Sequence, residues 1–141
     1  MTPAEAGIVR STFKTMSQEP AGLAAHFYGR MFELDPSLRS IFPTGLAGHG
    51  GKFLGMLETV VNGLDQPVAL ASLVRALGRR QRGYGLQPRH YAVVGQALLF
   101  TVAQSLGDKF TEEVSLAWAD AYVLLAETMM AATYNHMDLV A

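Results

Sequence analysis

The sequence predicts an all-α domain, and three observations carry that expectation. Apolar residues recur at helical spacing along most of the chain. Prolines fall where helices would start and glycines where they would stop. No stretch alternates apolar and polar residues between paired turn signals, as strands would. With 141 residues, half of them hydrophobic and 16% charged, the chain fits one domain over residues 1–141, with a sizeable core.

Each element can be justified in order. Thr2-Pro3-Ala4-Glu5 reads as a capping box with proline at the first helical position, opening a helix from about Pro3 to about Met16. A second runs from about Pro20 to about Leu34, and Asp35-Pro36 marks its boundary. A short helical turn reaches Phe42, followed by a glycine-rich loop from Pro43 to Gly51. The next helix ends near Gly63, a good C-terminal stop. Asp65-Gln66-Pro67 opens another, which closes among Gly83 and Gly85. Pro88 sits in the first turn of a long helix ending at Gly107. Its apolar stretch, Tyr91 to Leu106, is broken by Gly95, Gln96, Thr101 and Gln104, so it reads as a buried helix and not a membrane span. Thr111-Glu112-Glu113 caps the last helix, whose inward stripe is Val114, Trp118, Tyr122, Leu125 and Met129. The expectation is about seven helices.

Composition narrows the function classes. A net charge of −1 gives no electrostatic case for nucleic acid or an anionic membrane surface. Cysteine is absent, which excludes disulfides, thiol nucleophiles and thiolate metal sites. The N-terminus does not read as a signal peptide, and a cytoplasmic monomer or weak homodimer is expected.

Two apolar stripes carry the chemistry. Leu70, Leu73, Val74, Leu77 and Gln81 share one helix face, so Gln81 ends the stripe facing inward. Leu46, Phe53, Met56 and Val60 form a second, with His49 at its inward position. One polar side chain thus projects from each wall, an arrangement that fits a flat metal cofactor. An amide is a poor iron ligand where an imidazole is a good one. Other chemistries fail. Gly45 to Lys52 is one residue too long for a phosphate loop, and Phe53 stands where a magnesium-binding hydroxyl is needed. No His-Glu-x-x-His helix, Cys/His cluster or serine elbow is present. His90 begins the long helix beside Tyr91, while His26 and His136 fall on exposed faces. Phe27, Met31 and Phe32 read as core.

The order of several motifs resembles bacterial single-domain globins, similar to the globin domain of flavohaemoglobins. They are His26-Phe27-Tyr28-Gly29-Arg30-Met31-Phe32-Glu33-Leu34-Asp35-Pro36, then Leu38-Arg39-Ser40-Ile41-Phe42-Pro43. Lys52-Phe53-Leu54-Gly55-Met56-Leu57 and Val60-Val61-Asn62-Gly63-Leu64-Asp65 continue the match. Leu77-Gly78-Arg79-Arg80 with Gly83-Tyr84-Gly85 fixes the alignment, and His90-Tyr91, Val94-Gly95, Ala117-Trp118 and Ala121-Tyr122 complete it. The resemblance covers nearly the whole chain.

It implies a globin fold holding haem b (iron protoporphyrin IX) and a diatomic ligand such as oxygen or nitric oxide. Phe42 matches the aromatic that packs on the haem. Tyr28 matches the distal tyrosine, whose hydroxyl can donate to a ligand on the iron. His49 falls at the distal position, and Phe53 would cover the ligand site. Gln81 falls where the family places its proximal histidine. The iron would then take His49, a water held by Gln81, or an exogenous ligand; otherwise the domain is a haem-free sensor or interaction module. Arg82 and Lys52 are candidate propionate contacts. Nitric oxide dioxygenation in such proteins uses a proximal histidine, a tyrosine and a glutamate. Tyr91 matches the tyrosine, but Gln81 and Thr133 stand at the other two positions, and no reductase segment follows. Weak dioxygenase or peroxidase-like activity at most is therefore expected.

Overall fold

The computed structural model describes residues 1–41, 50–64, 66, 68, 72 and 88–140. Side chains are described for these except at 20, 21, 40, 41, 50–54, 56, 88 and 128–140. The described elements are α1 (Pro3–Met16), α2 (Pro20–Leu34), α3 (Leu38–Ile41), α4 (Gly50–Asn62), α5 (Pro88–Leu106), a 3-10 turn (Gly107–Lys109) and α6 (Glu112–Val140). The fold is all-α, with no strand among the described residues. Six of the expected α-helices are present, and the one expected between Asp65 and Gly85 lies largely outside the described residues.

Local chemistry sets the helix ends where the sequence signals them. The Thr2 backbone N–H donates to Glu5 Oε1 at 3.0 Å, and the Glu5 N–H donates to Thr2 Oγ1 at 3.1 Å. Two N–H groups that the first turn cannot pair internally are thereby satisfied. After α2, Asp35 Oδ1 accepts from the Ser37 hydroxyl at 2.6 Å and from its N–H at 3.1 Å, which turns the chain into α3. Gly107 stops α5 with φ of 55°, a left-handed conformation that costs a side-chain-bearing residue more. Thr111 Oγ1 accepts from the Val114 N–H at 3.3 Å at the start of α6. One boundary differs from expectation: α4 already begins at Gly50, inside the stretch read as loop. Helix formation with the following apolar run outweighs the roughly 0.5–1 kcal/mol that each glycine costs there.

Packing follows the periodicity. Ala6, Val9, Phe13 and Met16 form the buried stripe of α1, and Leu23, Phe27 and Met31 that of α2. Helix α2 lies against α5 and α4, while α6 packs on α1 and α5. Leu57, Val60 and Val61 of α4, Leu98 and Val102 of α5, and Val114 and Trp118 of α6 close the core. Burying a side chain such as Met31, which is 0% exposed, contributes about 1.5–3 kcal/mol. Trp118 unites two ends of the chain: its Nε1–H donates to Thr12 Oγ1 at 2.9 Å, while Thr12 donates to the Ile8 carbonyl at 2.8 Å. The pair lets the indole sit in the core with its donor satisfied.

Candidate functional site

One wall of the candidate site is built on α2. Tyr28 shares the buried side of this helix with Leu23, Ala24, Phe27 and Met31, which recur at helical intervals. Its ring meets Phe27 edge-on, with centroids 5.2 Å apart, and stacks on Phe32 at 6.1 Å and 28°. The Arg39 guanidinium in turn lies 5.3 Å from the centre of the Phe32 ring. Phe27 and Phe32 therefore fix the position and tilt of the Tyr28 ring, and Arg39 holds Phe32 in place. Burial raises the Tyr28 pKa above the ordinary phenol value, so the hydroxyl stays protonated at neutral pH.

Tyr91 lies in the first turns of α5, half-buried and packed against the core. Its carbonyl accepts a 2.6 Å hydrogen bond from the Tyr122 hydroxyl of α6. Burial first, then the neighbouring Tyr91, raises the Tyr122 pKa, so this donor too remains protonated. The Tyr122 ring rests on Gly95, where a Cβ would stand 2.6 Å from Cε2. Only a glycine allows that approach. At the same end of α5, buried His90 places Nε2 3.8 Å from Asp35 Oδ2. This contact joins the start of α5 to the end of α2.

Most of the other site residues expected from the sequence fall outside this description. Lys52 and Phe53 lie on the backbone of α4, and their side chains are outside the described residues, as are Phe42, His49, Gln81 and Arg82. The described residues supply apolar surface on α2 and α4 and a buried, neutral phenol at Tyr28. His26 is exposed, as expected, and Phe27 and Met31 are core. Sequence reasoning missed the Tyr122–Tyr91 bond, the Trp118–Thr12 bond and the His90–Asp35 contact. Gly95 in an otherwise apolar helix was the one available signal, since such a glycine often marks a close approach.

Comparison with known proteins agrees with this architecture. Residues 25–129 match the Globin family model. The Flavohemoprotein of Vibrio cholerae serotype O1 is 31% identical over 133 residues, covering 92% of this chain and 34% of that protein. The Flavohemoprotein of Chromobacterium violaceum is 30% identical over 126 residues, covering 87% and 31%. The chain thus spans about a third of the length of these relatives. A crystal structure of hexacoordinated heme protein from an anhydrobiotic tardigrade superposes with a TM-score of 0.85 at 15% identity, over 95% of this chain and 96% of that one, a likeness of fold. With the family match spanning most of its length, the chain belongs to the globin family.

Proposed function

We propose that the protein is a haem-binding globin that takes a diatomic ligand such as oxygen or nitric oxide, with atypical axial coordination because Gln81 occupies the proximal position. The observation that carries this reading is Tyr28: a buried, protonated hydroxyl fixed by Phe27 and Phe32 in a chain of the globin family. The similarity to the globin portion of proteins named Flavohemoprotein supports haem b as the cofactor.

When bound, haem would supply an iron able to take a diatomic gas. The residues of this chain do the rest. Tyr28, at the family's distal position, would turn its hydroxyl toward negative charge developing on a bound ligand. By the resemblance, Phe42 and Phe53 would cover the haem, and Arg82 and Lys52 would offer cations to its carboxylates. At the distal position the resemblance gives it, His49 would offer an imidazole, whereas the Gln81 amide would hold a water but be a poor ligand itself. Without a donating proximal imidazole, dioxygenase chemistry would be weak and autoxidation of bound haem fast.

Titrating the purified protein with haem tests the proposal. A sharp Soret band saturating at one haem per chain supports it, and its absence at stoichiometric haem overturns it. The amide at position 81 favours one competing reading, a haem-free sensor or interaction domain. That alternative predicts a melting temperature indifferent to added haem, whereas true binding raises it by linkage.

A further inference from the structure

Among the described residues, two arginines lie over phenylalanine rings, and the two contacts lead to different places. The Arg30 guanidinium stands 5.0 Å from the centre of the Phe100 ring and pairs with Glu33 at 3.1 Å. The exposed His26 ring meets Phe100 edge-on at 6.3 Å, so this contact stays at the surface. The Arg39 guanidinium stands 5.3 Å from the centre of the Phe32 ring and makes no ion pair among the described residues. Phe32 in turn stacks on Tyr28, which is 9% exposed. This second contact runs inward, from a solvated cation to a buried phenol.

The two aromatic neighbours of Tyr28 are not equally firm. Phe27 is buried in the core, which holds it on every side. Phe32, four residues after Tyr28 on the same helix face, is only half-buried, so it has the greater freedom to turn toward water. A cation over a ring at an exposed site favours the covered position about two- to five-fold. That cation does not come from α2. The turn in which Asp35 Oδ1 accepts from Ser37 carries the chain into α3 and brings Arg39 back over Phe32. The tilt of the Tyr28 ring thus depends on one exposed side chain beyond its own helix.

We infer that Arg39 is a positioning residue for ligand choice: acting through Phe32, it sets the tilt of the Tyr28 ring, and with it how strongly the site prefers a ligand that develops negative charge over one that stays neutral. The inference rests on the haem reading of the site. A hydrogen bond weakens steeply as its angle departs from linear, so a phenol that wanders between tilts stabilises developing charge less well. Dioxygen is a ligand of the first kind and carbon monoxide of the second.

The test has two arms. In the haem-free, full-length protein, NMR of isotope-labelled tyrosine rings reports the stack, and the Tyr28 signal is identified by its loss in Tyr28→Phe. Arg39→Gln is expected to move that signal toward the position of an unstacked tyrosine, and Arg39→Lys, which keeps the cation, to hold it near the parent. Arg30→Gln, at the contact that stays on the surface, leaves it in place. In a Phe32→Leu background Arg39→Gln has no further effect, because the intermediary is gone. In the haem-loaded protein, Arg39→Gln should speed dioxygen dissociation about two- to five-fold and leave carbon monoxide dissociation unchanged. A Tyr28 signal that ignores Arg39→Gln, or follows Arg30→Gln equally, overturns the inference, as does an equal change for both gases. Absence of a Soret band overturns the haem reading and the ligand choice with it, while the haem-free arm still decides whether Arg39 governs Tyr28.

Discussion

Replacing Gly95 with alanine sets a steric limit against a helix preference, and the structure decides the sign. The new Cβ would stand 2.6 Å from Cε2 and 2.8 Å from Cδ2 of Tyr122, closer than such carbons approach. The ring cannot simply swing aside, because its hydroxyl is bound to the Tyr91 carbonyl at 2.6 Å. Overpacking of this kind costs about 1–3 kcal/mol. Displacing the ring also gives up a hydrogen bond worth about 0.5–1.5 kcal/mol net. Against this, alanine in a helix interior gains about 0.5–1 kcal/mol over glycine. The balance is a destabilisation of about 2 kcal/mol, read as a lower urea midpoint at unchanged slope. In a Tyr122→Ala background the clash disappears, and Gly95→Ala should then stabilise by about 0.5–1 kcal/mol. Equal effects in the two backgrounds, or a parental Gly95→Ala as stable as the original, would refute the reasoning.

Other outcomes follow from the same geometry. Thr2→Ala removes the Thr2–Glu5 capping box and should cost about 1 kcal/mol in chemical denaturation. The Asp35 carboxyl is held below the usual carboxylate range, first by the Ser37 hydroxyl and then by its N–H and the His90 and Arg89 charges. Its folded pKa is depressed, so its stabilisation is present above the unfolded value and lost as pH falls through the folded one. Ser37→Ala should therefore lower the melting temperature at neutral pH, with the gap to the parent narrowing in acid. Asp120 shows the opposite sign: its hydrogen bond and repulsion with Glu5 raise its pKa, so the charged form is disfavoured at neutral pH. Asp120→Asn should raise the melting temperature at neutral pH and lose that advantage in acid, and a pH-independent effect would contradict the assignment.

Helix starts were legible because their chemistry is local. Thr2, Pro3 and Glu5 form a cap within four residues, and Pro88, Gly107 and Thr111 mark their boundaries without help from the rest of the fold. The buried stripes of α1 and α2 were likewise readable from period alone. Long-range pairs were not. Trp118 and Thr12 stand 106 positions apart, and nothing in either neighbourhood announces the bond. Tyr122 read as an inward stripe residue, yet its hydroxyl target is a backbone carbonyl, and a sequence carries no marker for which carbonyl is reachable. Of the site, the burial of Tyr28 could be read from apolar neighbours on its own helix, while its donor role came only from the resemblance. Its tilt could not, since Phe32 and Arg39 fix it through packing. Gln81 lies outside the described residues, and its proximal assignment rests on the resemblance.

The proposed haem coordination turns on the residues at positions 81 and 49. The most direct measurement compares absorption spectra of the haem-loaded parent with those of Gln81→His and His49→Ala. The account predicts that Gln81→His converts the spectrum to that of an ordinary proximal-histidine globin, and that His49→Ala removes any histidine-type coordination from the parent. Spectra unchanged by both substitutions would contradict it.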